Sequence, residues 1–284
     1  MRIRFQDVSY IYNRKTPFEY VALDHIDFEI PEHKLVALVG RTGSGKSTLV
    51  SHINALLRPT SGEVHIGSFL NAPKNRIKPK EIKELRKHVG LVFQFPEYQL
   101  FEETVEKDVA FGPHNFGLSN EEALKRAHEA ILRVGLNESF FTRSPFELSG
   151  GEKRKVAIAG VIATNPEVLI VDEPTAGLDP VASLETMGLF KEIQKQGTSV
   201  ILVTHDMSIV NAYADEVVVL ENGKIATITT PKELFKGELS EYSLDLPLLY
   251  QVIKDLKNKG MDLTKEDISD LPSLVNAIKR YRHE

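Results

Sequence analysis

The segment "KLVALVGRTGSGKSTLV", residues 34–50, says most about how this chain folds. Its first six residues are mostly aliphatic on both faces, which is typical of a strand buried within a parallel sheet. Glycines follow at Gly40, Gly43 and Gly45, and the residues from Lys46 onward favour a helix. The spacing G-x-x-x-x-G-K-[ST] between a strand and a helix predicts a loop whose backbone N–H groups surround phosphates. A glycine-rich turn without a ligand is the alternative, and the flanking strand and helix argue against it.

The polar side chains of this loop fit the same prediction. Lys46 has the charge and length to reach β- and γ-phosphate oxygens, and the Ser47 hydroxyl can ligate Mg²⁺. We therefore expect the whole loop to bind a nucleotide through its phosphates, with these residues: Gly40, Arg41, Thr42, Gly43, Ser44, Gly45, Lys46, Ser47 and Thr48.

Three further apolar runs resemble the first one. They are β-branched and aliphatic on both faces, as expected of strands covered by helices on each side: "VGLVFQ" (89–94), "VLIVDE" (168–173) and "SVILVTH" (199–205). Helical patterns lie between the runs, for example Ser47–Leu57, Asn120–Val134 and Val181–Gln196. Ser119 and Glu122 have the spacing of a capping box for the second of these helices. The alternation predicts an α/β fold with parallel strands.

Each of these runs ends at a polar residue whose side chain could bind a ligand or take part in catalysis. The ends are Gln94, then Asp172 with Glu173, then His205. Taken alone, a Gln or His at a strand end is more often a simple turn residue. Because ligands of open parallel sheets bind outside the carboxyl ends of the strands, we expect these side chains and the phosphate loop to share one crevice.

The two carboxylates suggest different roles at that crevice. Asp172 can hold Mg²⁺ from the side opposite Ser47, usually through water. A second carboxylate beside a metal is electrostatically unfavourable, and Glu173 is better explained as a general base for water attacking the γ-phosphate. His205, at the end of its run, could hydrogen-bond that phosphate and orient the water. The predicted metal ligands are Ser47, Gln94 and Asp172, and the predicted catalytic residues are Glu173 and His205.

A second segment, "FELSGGEKRKVAIAG" at 146–160, looks built to hold another anion. Ser149 can cap a helix, and Gly150 and Gly151 let the backbone come close to a ligand. The free N–H groups of a helix that begins here would face that ligand.

The composition excludes several classes of protein. The 284 residues are 42% hydrophobic and 26% charged, which is enough for a full core and too apolar for a disordered chain. The formal net charge of −5 argues against a sequence-independent nucleic-acid binder. The absence of cysteine excludes disulfides and zinc ribbons. No segment is apolar for long enough to cross a bilayer, so a membrane role would need partners.

Taken in order along the chain, these motifs resemble those of ABC-type ATPases over roughly residues 1–238. The motifs are Gly40–Thr48, Gln94, "LSGGE" (148–152), "VDE" (171–173), "AGLDP" (176–180) and "THD" (204–206). The resemblance implies that two ATPase domains close head to tail, and that Ser149, Gly150, Gly151 and Glu152 bind the γ-phosphate held by the partner. Gln is usual where Glu152 stands, and the variant is tolerated because the helix N-terminus and the glycines provide the anion binding. The resemblance also makes Tyr12 a candidate for stacking on adenine and places Asp179 in a loop between the two sites.

Two longer segments resemble the ATPases of energy-coupling factor transporters. They are "VFQFPEYQLFEETVEKDVAFGPHNFG" (92–117) and "SPFELSGGEKRKVAIAGVIA" (144–163). Within that group the chain is most similar to the second, A′-type ATPase, as "NRKTPFEYVALDHIDFEI" (13–30) and "INALLRPTSG" (53–62) suggest. The implied function is ATP hydrolysis with Mg²⁺ that powers an importer of vitamins or other micronutrients.

The resemblance also implies an organisation into domains. We expect a P-loop NTPase of the ABC ATPase type with a mixed sheet core in residues 1–238, including a helical subdomain at about 95–165. A short helical C-terminal extension at 239–284 would serve packing on the chain itself or pairing with the other ATPase. The apolar side chains of "FPEYQLF" (95–101) would face a membrane partner, whereas Glu97 and Gln99 fit an ordinary surface loop.

The implied partners are a second ATPase subunit, a transmembrane coupling subunit and a substrate-binding membrane subunit, with no nucleic acid. A heterodimer of ATPases is favoured, and a homodimer is the alternative. The expected location is the cytoplasmic face of the cell membrane, as a peripheral protein. The competing functions are the ATPase of another ABC importer, a soluble ABC ATPase without a transport role, and a regulatory module that binds ATP without hydrolysing it. Glu173 and His205 argue against the last of these.

Overall fold

Two β-sheets and a set of helices make up the described part of the chain. The computed structural model describes residues 1–74, 77–236, 242, 244–263, 266, 268 and 270–283. Its strands are β1 (Ile3–Tyr12), β2 (Tyr20–Ile30), β3 (Leu35–Val39), β4 (Ser61–Ile66), β5 (Phe69–Asn71), β6 (Val89–Val92), β7 (Val168–Asp172), β8 (Ser199–Val203), β9 (Glu216–Glu221) and β10 (Lys224–Thr229). Its helices are α1 (Lys46–Ile53), α2 (Pro79–His88), α3 (Val105–Asn115), α4 (Asn120–Arg133), α5 (Gly150–Ile162), α6 (Pro180–Lys195), α7 (Met207–Tyr213), α8 (Pro231–Leu234), α9 (Leu248–Asn258) and α10 (Leu271–His283).

The larger sheet contains the four apolar runs of the sequence. Its strand order is β10-β9-β3-β8-β7-β6, with β10 antiparallel to β9 and the other neighbours parallel. Every residue of β3 and β8 is buried, because both faces of these strands are covered. The prediction of an α/β fold around a mixed sheet is therefore confirmed.

The smaller sheet is antiparallel, with the order β2-β1-β4-β5. Its inner side chains, among them Phe5, Leu23 and Ile26, pack in one core with Leu49 and Ile53 of α1. This packing brings the ends of β1 and β2 beside the start of α1. The sheet thus forms one wall near the phosphate loop.

Helices fill the stretch for which the sequence predicts a helical subdomain. α3, α4 and α5 pack together through side chains such as Val109, Ala127 and Val156. The predicted capping box at the start of α4 is present, since Ser119 Oγ accepts from the Glu122 N–H at 3.3 Å. Short 3₁₀ turns at Pro96–Gln99, Glu138–Phe140 and Pro145–Glu147 connect these helices to their neighbours.

The C-terminal helices build a small core of their own. Buried residues of α9, α10 and the segment between them pack together: Ile253, Leu263, Ile268, Leu274 and Ala277. The predicted domain boundary at 238 lies outside the described residues, so the division into domains stays a prediction. Within the ranges that the structure describes, no helix combines the length and apolar character needed to cross a bilayer.

Candidate active site

A cleft of about 430 Å³ opens at the carboxyl ends of β3, β6, β7 and β8. It brings together the phosphate loop and the four strand-end residues that the sequence singled out. Its lining residues are Tyr20, Ala22, Thr42, Gly43, Gly45, Lys46, Ser47, Thr48, Gln94, Asp172, Glu173, Val203 and His205. The convergence expected of a parallel sheet is thus observed.

The phosphate loop follows a path that only glycine permits at two positions. Gly40 has φ 145°, and a Cβ there would lie 2.2 Å from the backbone oxygen of Leu220. Gly45 has φ 107°, and its Cβ would lie 2.5 Å from the backbone oxygen of Ala22. Because the loop is held between β9 and β2, α1 begins at Lys46 directly at the cleft. The N–H groups of this helix start are available to an anion there.

Lys46 is the cation of the cleft. Its ammonium group donates to the backbone oxygens of Gly40 at 2.7 Å and Arg41 at 3.0 Å. Burial lowers the pKa of Lys46, and the carboxylates of Glu173 and Asp172 partly oppose that effect. The lysine is therefore held at the loop, opposite the acidic end of β7.

Ser47 and Asp172 meet across the cleft as a pair of oxygen donors. The Ser47 hydroxyl donates to Asp172 Oδ2 at 3.4 Å, and Gln94 lines the same cleft. Burial raises the pKa of Asp172, with the neighbouring Glu173 charge as the next cause, so a cation here would be electrostatically favourable. Among the residues described, no group of three or more His, Cys, Asp or Glu side chains could hold a metal ion. The oxygen donors of Ser47, Asp172 and Gln94 still fit Mg²⁺, because this ion is bound by only one or two carboxylates and completes its coordination with water and substrate phosphates.

Glu173 adopts an unusual backbone conformation next to Asp172. Its φ is 47°, in the left-handed region, and its N–H donates to the backbone oxygen of Val203 at 2.8 Å. Oε1 lies 2.7 Å from Nδ1 of His205, and Thr204 Oγ1 donates to Oε2 at 3.4 Å. The Glu173 side chain is 16% exposed and that of His205 is 79% exposed. A largely buried carboxylate with an open histidine beside it can accept a proton from water held in the cleft.

Two tyrosines stand at the end of the β1–β2 hairpin, where the sequence indicated one. Tyr12 and Tyr20 are paired across the strands. The Tyr12 hydroxyl lies 3.2 Å from Thr48 Oγ1, while the Tyr20 hydroxyl donates to the Gly43 backbone oxygen at 2.8 Å. Tyr20, which sequence reasoning missed, is among the residues lining the cleft. The stacking role of Tyr12 stays a prediction.

The "LSGGE" segment (148–152) lies outside this cleft. Ser149 caps α5 in a capping box: Glu152 Oε2 accepts from the Ser149 N–H at 2.8 Å and from its hydroxyl at 2.7 Å. These hydrogen bonds from Ser149 lower the pKa of Glu152. Asp179 caps α6 by accepting from the N–H groups of Val181 and Ala182 at 2.9 and 3.0 Å. Neither the "LSGGE" segment nor Asp179 lines the cleft at the chain's own phosphate loop.

Glu97 differs from the expectation of an ordinary surface loop. Its side chain is only 16% exposed and forms an ion pair with Arg154 of α5. The two residues are far apart in the sequence, and no local pattern in it indicates the pair. Both carboxylate oxygens of Glu97 are used, which explains why a charged residue is tolerated at this depth.

Comparisons with known proteins agree with this geometry. Residues 23–176 match the family described as ABC transporter. The energy-coupling factor transporter ATP-binding protein EcfA2 of Latilactobacillus sakei is 51% identical over 273 residues, covering 95% of this chain and 93% of that protein. The structure of cbiO1 from Clostridium perfringens, part of the ABC transporter complex cbiONQ, has a TM-score of 0.73 at 37% identity and covers 90% of this chain and 94% of its own. A dimeric post-hydrolysis structure of the ATP-binding cassette MJ0796, bound to ADP and Pi, has a TM-score of 0.71 at 30% identity, with coverages of 81% and 98%. The fold, the cleft and these similarities together establish that the chain belongs to the ABC transporter family of ATPases, in the group of energy-coupling factor transporter ATP-binding proteins.

Proposed function

We propose that this chain binds ATP with Mg²⁺ in the cleft at the ends of β3, β6, β7 and β8, and that its hydrolysis powers an energy-coupling factor importer of vitamins or other micronutrients. One observation carries the hydrolytic part. The Glu173–His205 pair, 2.7 Å apart, lies in the same cleft as Lys46 and the Ser47–Asp172 pair. A module that only binds nucleotide has no need of the second carboxylate.

Each side chain of the cleft has a proposed part in the reaction. The loop N–H groups and Lys46 bind the phosphates, and Ser47, Asp172 and Gln94 would hold Mg²⁺. When bound, Mg²⁺ supplies positive charge that stabilises the triphosphate. Glu173 accepts the proton of the attacking water, and His205 orients that water towards the γ-phosphate. As the water oxygen bonds to the γ-phosphorus, the bond from that phosphorus to the β-phosphate oxygen breaks, and the ammonium of Lys46 stabilises the negative charge that develops on this oxygen of the leaving ADP.

The signature segment supports a pair of ATPases. Ser149 and Asp179 lie at helix starts away from the cleft of their own chain, so a nucleotide bound at either helix start would be one held by another subunit. The solved cassette bound to ADP and Pi is dimeric. We propose that Ser149, Gly150 and Gly151 close on the nucleotide of a second ATPase subunit. A related chain is the favoured partner, and a copy of this chain is the alternative.

The segment after Gln94 supports a membrane partner. Tyr98 is 86% exposed, and Phe101, also exposed, packs edge-on against Phe111 with 5.0 Å between ring centroids. Large apolar side chains left in water in one short segment mark a contact surface. We propose that a transmembrane coupling subunit, which in turn holds a substrate-binding membrane subunit, covers this surface. That arrangement would put the chain at the cytoplasmic face of the membrane.

The catalytic assignment is tested with Glu173→Gln. This substitution keeps the shape of the side chain but removes the base, so turnover should fall about 10²-fold or more while ATP affinity is kept. Glu103→Gln is the matched control, because Glu103 is an exposed carboxylate paired with Lys107 on the surface. Unchanged turnover in Glu173→Gln would contradict the role of Glu173.

The transport assignment needs a separate experiment. The tagged full-length chain is purified from membranes, and its partners are identified by mass spectrometry. An energy-coupling factor ATPase should bring a second ATPase and two kinds of membrane protein. Recovery with a pair of membrane subunits of another ABC importer would favour that alternative, and recovery without any membrane protein would favour a soluble role.

A further inference from the structure

Arg154 is a buried charge that none of the roles above uses. It lies near the start of α5, one turn beyond the Ser149 cap, and its side chain is only 6% exposed. It does not line the nucleotide cleft. A guanidinium at this depth is stable only where its donors are satisfied. The hydrogen-bond partners of Arg154 therefore identify the segments of the chain that it holds together.

Two donors of the guanidinium form hydrogen bonds to the segment that follows Gln94. Nε donates to Glu97 Oε2 and Nη2 donates to Glu97 Oε1, both at 3.1 Å, which makes a two-pronged pair. Glu97 belongs to the 3₁₀ turn Pro96–Gln99, directly before the exposed apolar side chains proposed to contact the membrane partner. The guanidinium carbon also lies 5.7 Å from the centroid of the Phe95 ring.

The third donor forms a hydrogen bond to the loop between Glu173 and Asp179. Nη1 of Arg154 donates to the backbone oxygen of Ala176 at 2.8 Å. The Ala176 N–H in turn donates to the backbone oxygen of Glu173 at 3.1 Å, so this loop is continuous with the proposed base. The loop also abuts the first segment, because a Cβ on Gly177 would lie 3.8 Å from the Phe95 ring.

We propose, on the basis of the proposed function, that Arg154 is a positioning residue that fastens the Pro96–Gln99 turn and the Ala176 loop to the signature helix α5. Three segments then move as one body: the signature that closes on the partner's nucleotide, the loop that leads to Asp179, and the segment that faces the membrane subunit. The movement that closes the ATP sites is transmitted to the membrane through this fork, by which we mean the buried Arg154 guanidinium with its hydrogen bonds to Glu97 and Ala176. The role depends on the planar guanidinium, since one ammonium cannot present two parallel donors to a carboxylate and a third to a carbonyl.

The test uses the complete complex of both ATPases and the membrane subunits in lipid vesicles. Solute uptake and ATP hydrolysis are measured in the same preparation for Arg154→Gln, Arg154→Lys and Glu97→Gln. Lys107→Gln is the matched control, because it removes a cation from the neighbouring helix α3 whose pair with Glu103 is exposed. The KM for ATP should stay within about twofold of the wild type, as expected for a residue without ground-state contact to the nucleotide. Uptake per ATP hydrolysed should fall about tenfold in Arg154→Gln, less in Arg154→Lys, and not at all in the control.

A purely structural role gives a different result. If Arg154 only stabilises the fold, the melting temperature, uptake and hydrolysis fall together and uptake per ATP stays at the wild-type value, which overturns the inference. Full activity of Arg154→Lys would also overturn it, because the fork would then be unnecessary. Should Arg154→Gln fail to fold, Glu97→Gln keeps the Ala176 contact and must still lower uptake per ATP. A wild-type complex that imports nothing with ATP would refute the proposed function instead, and acceleration of hydrolysis by the membrane subunits then replaces uptake as the readout for the Arg154 variants.

Discussion

His52 should make the stability of this protein fall as the solution is acidified. The side chain is fully buried in α1, where Nδ1 donates to the backbone oxygen of Thr48 at 2.7 Å. Nε2 is buried without a hydrogen-bond partner in the described part of the chain, and the Tyr10 ring stands edge-on at 5.0 Å. Burial in these surroundings lowers the pKa of His52 from 6.5 to about 4. The folded protein therefore keeps this histidine neutral at pH values where the unfolded chain protonates it.

The sign and size of the effect follow from that difference. Above about pH 7.5 both states are neutral and His52 makes no pH-dependent contribution. As the pH falls through 6.5, the unfolded chain binds a proton that the folded chain does not, and the free energy of unfolding decreases. At about 1.4 kcal/mol for each pH unit, the loss is about 2 kcal/mol at pH 5 and about 3 kcal/mol at pH 4.

The measurement is urea unfolding of the full chain between about pH 7.5 and about pH 4.5, comparing the wild type with His52→Asn. Asparagine keeps a donor for Thr48 and cannot protonate, so its stability relative to the wild type should rise steadily as the pH falls. The matched control is His114→Asn, which replaces an exposed histidine of α3. A difference between wild type and His52→Asn that stays constant over the whole pH range would refute the reasoning.

Three further outcomes are expected from the proposed site. Lys46→Ala should weaken ATP binding about tenfold or more, or abolish activity, because a charge opposite the phosphates is lost; a binding titration measures it. Ser149→Arg should leave ATP binding by the isolated chain nearly intact and block nucleotide-driven pairing of ATPases, so loss of binding in the monomer would contradict the role in trans. Replacing both Tyr98 and Phe101, which are exposed, with Asp should spare hydrolysis by the free ATPases and sharply reduce complex assembly or uptake, and full uptake by this double variant would remove that surface from the mechanism.

The large sheet and its cleft were predictable because their signals are local. A strand covered on both faces must be apolar throughout, so β3, β6, β7 and β8 stand out as runs of Val, Leu and Ile. Parallel strands end at the same edge, which is why the sequence alone suffices to place Gln94, Glu173 and His205 together. The helices α1, α4 and α6 were likewise foreseen to within a few residues at most ends.

The small sheet was harder to foresee, for reasons that lie in its strands. β1 and β2 pair with register shifts, and Asp7 and His25 take positive φ values of 49° and 53°, which breaks the alternation of buried and exposed residues. The register of this hairpin pairs Tyr20 with Tyr12 and puts Tyr20 at the cleft, and the loop between the strands does not encode that register.

The pair of Glu97 and Arg154 was invisible to sequence reasoning for a different reason. Charged residues far apart in a chain are ordinarily read as solvated, and nothing in the composition of either segment distinguishes these two. Their burial comes from the tertiary fold, in which the packing of α5 against the Pro96–Gln99 turn leaves the side chains of Arg154 and Glu97 only 6% and 16% exposed. A buried ion pair between distant segments is a property of the tertiary packing and leaves no local signature in either segment.

The path of the phosphate loop has a consequence for how this sequence can vary. The atoms that a Cβ at Gly40 or Gly45 would strike are the carbonyl oxygens of Leu220 and Ala22, at 2.2 and 2.5 Å. A backbone oxygen stays in place whatever side chain its residue carries. A clash with a neighbouring side chain can be relieved by a smaller neighbour, but here no second substitution makes room. A residue with a Cβ at either glycine therefore cannot be compensated by changing the side chain at Leu220 or Ala22. This constraint comes from the packing of the loop and does not depend on phosphate binding.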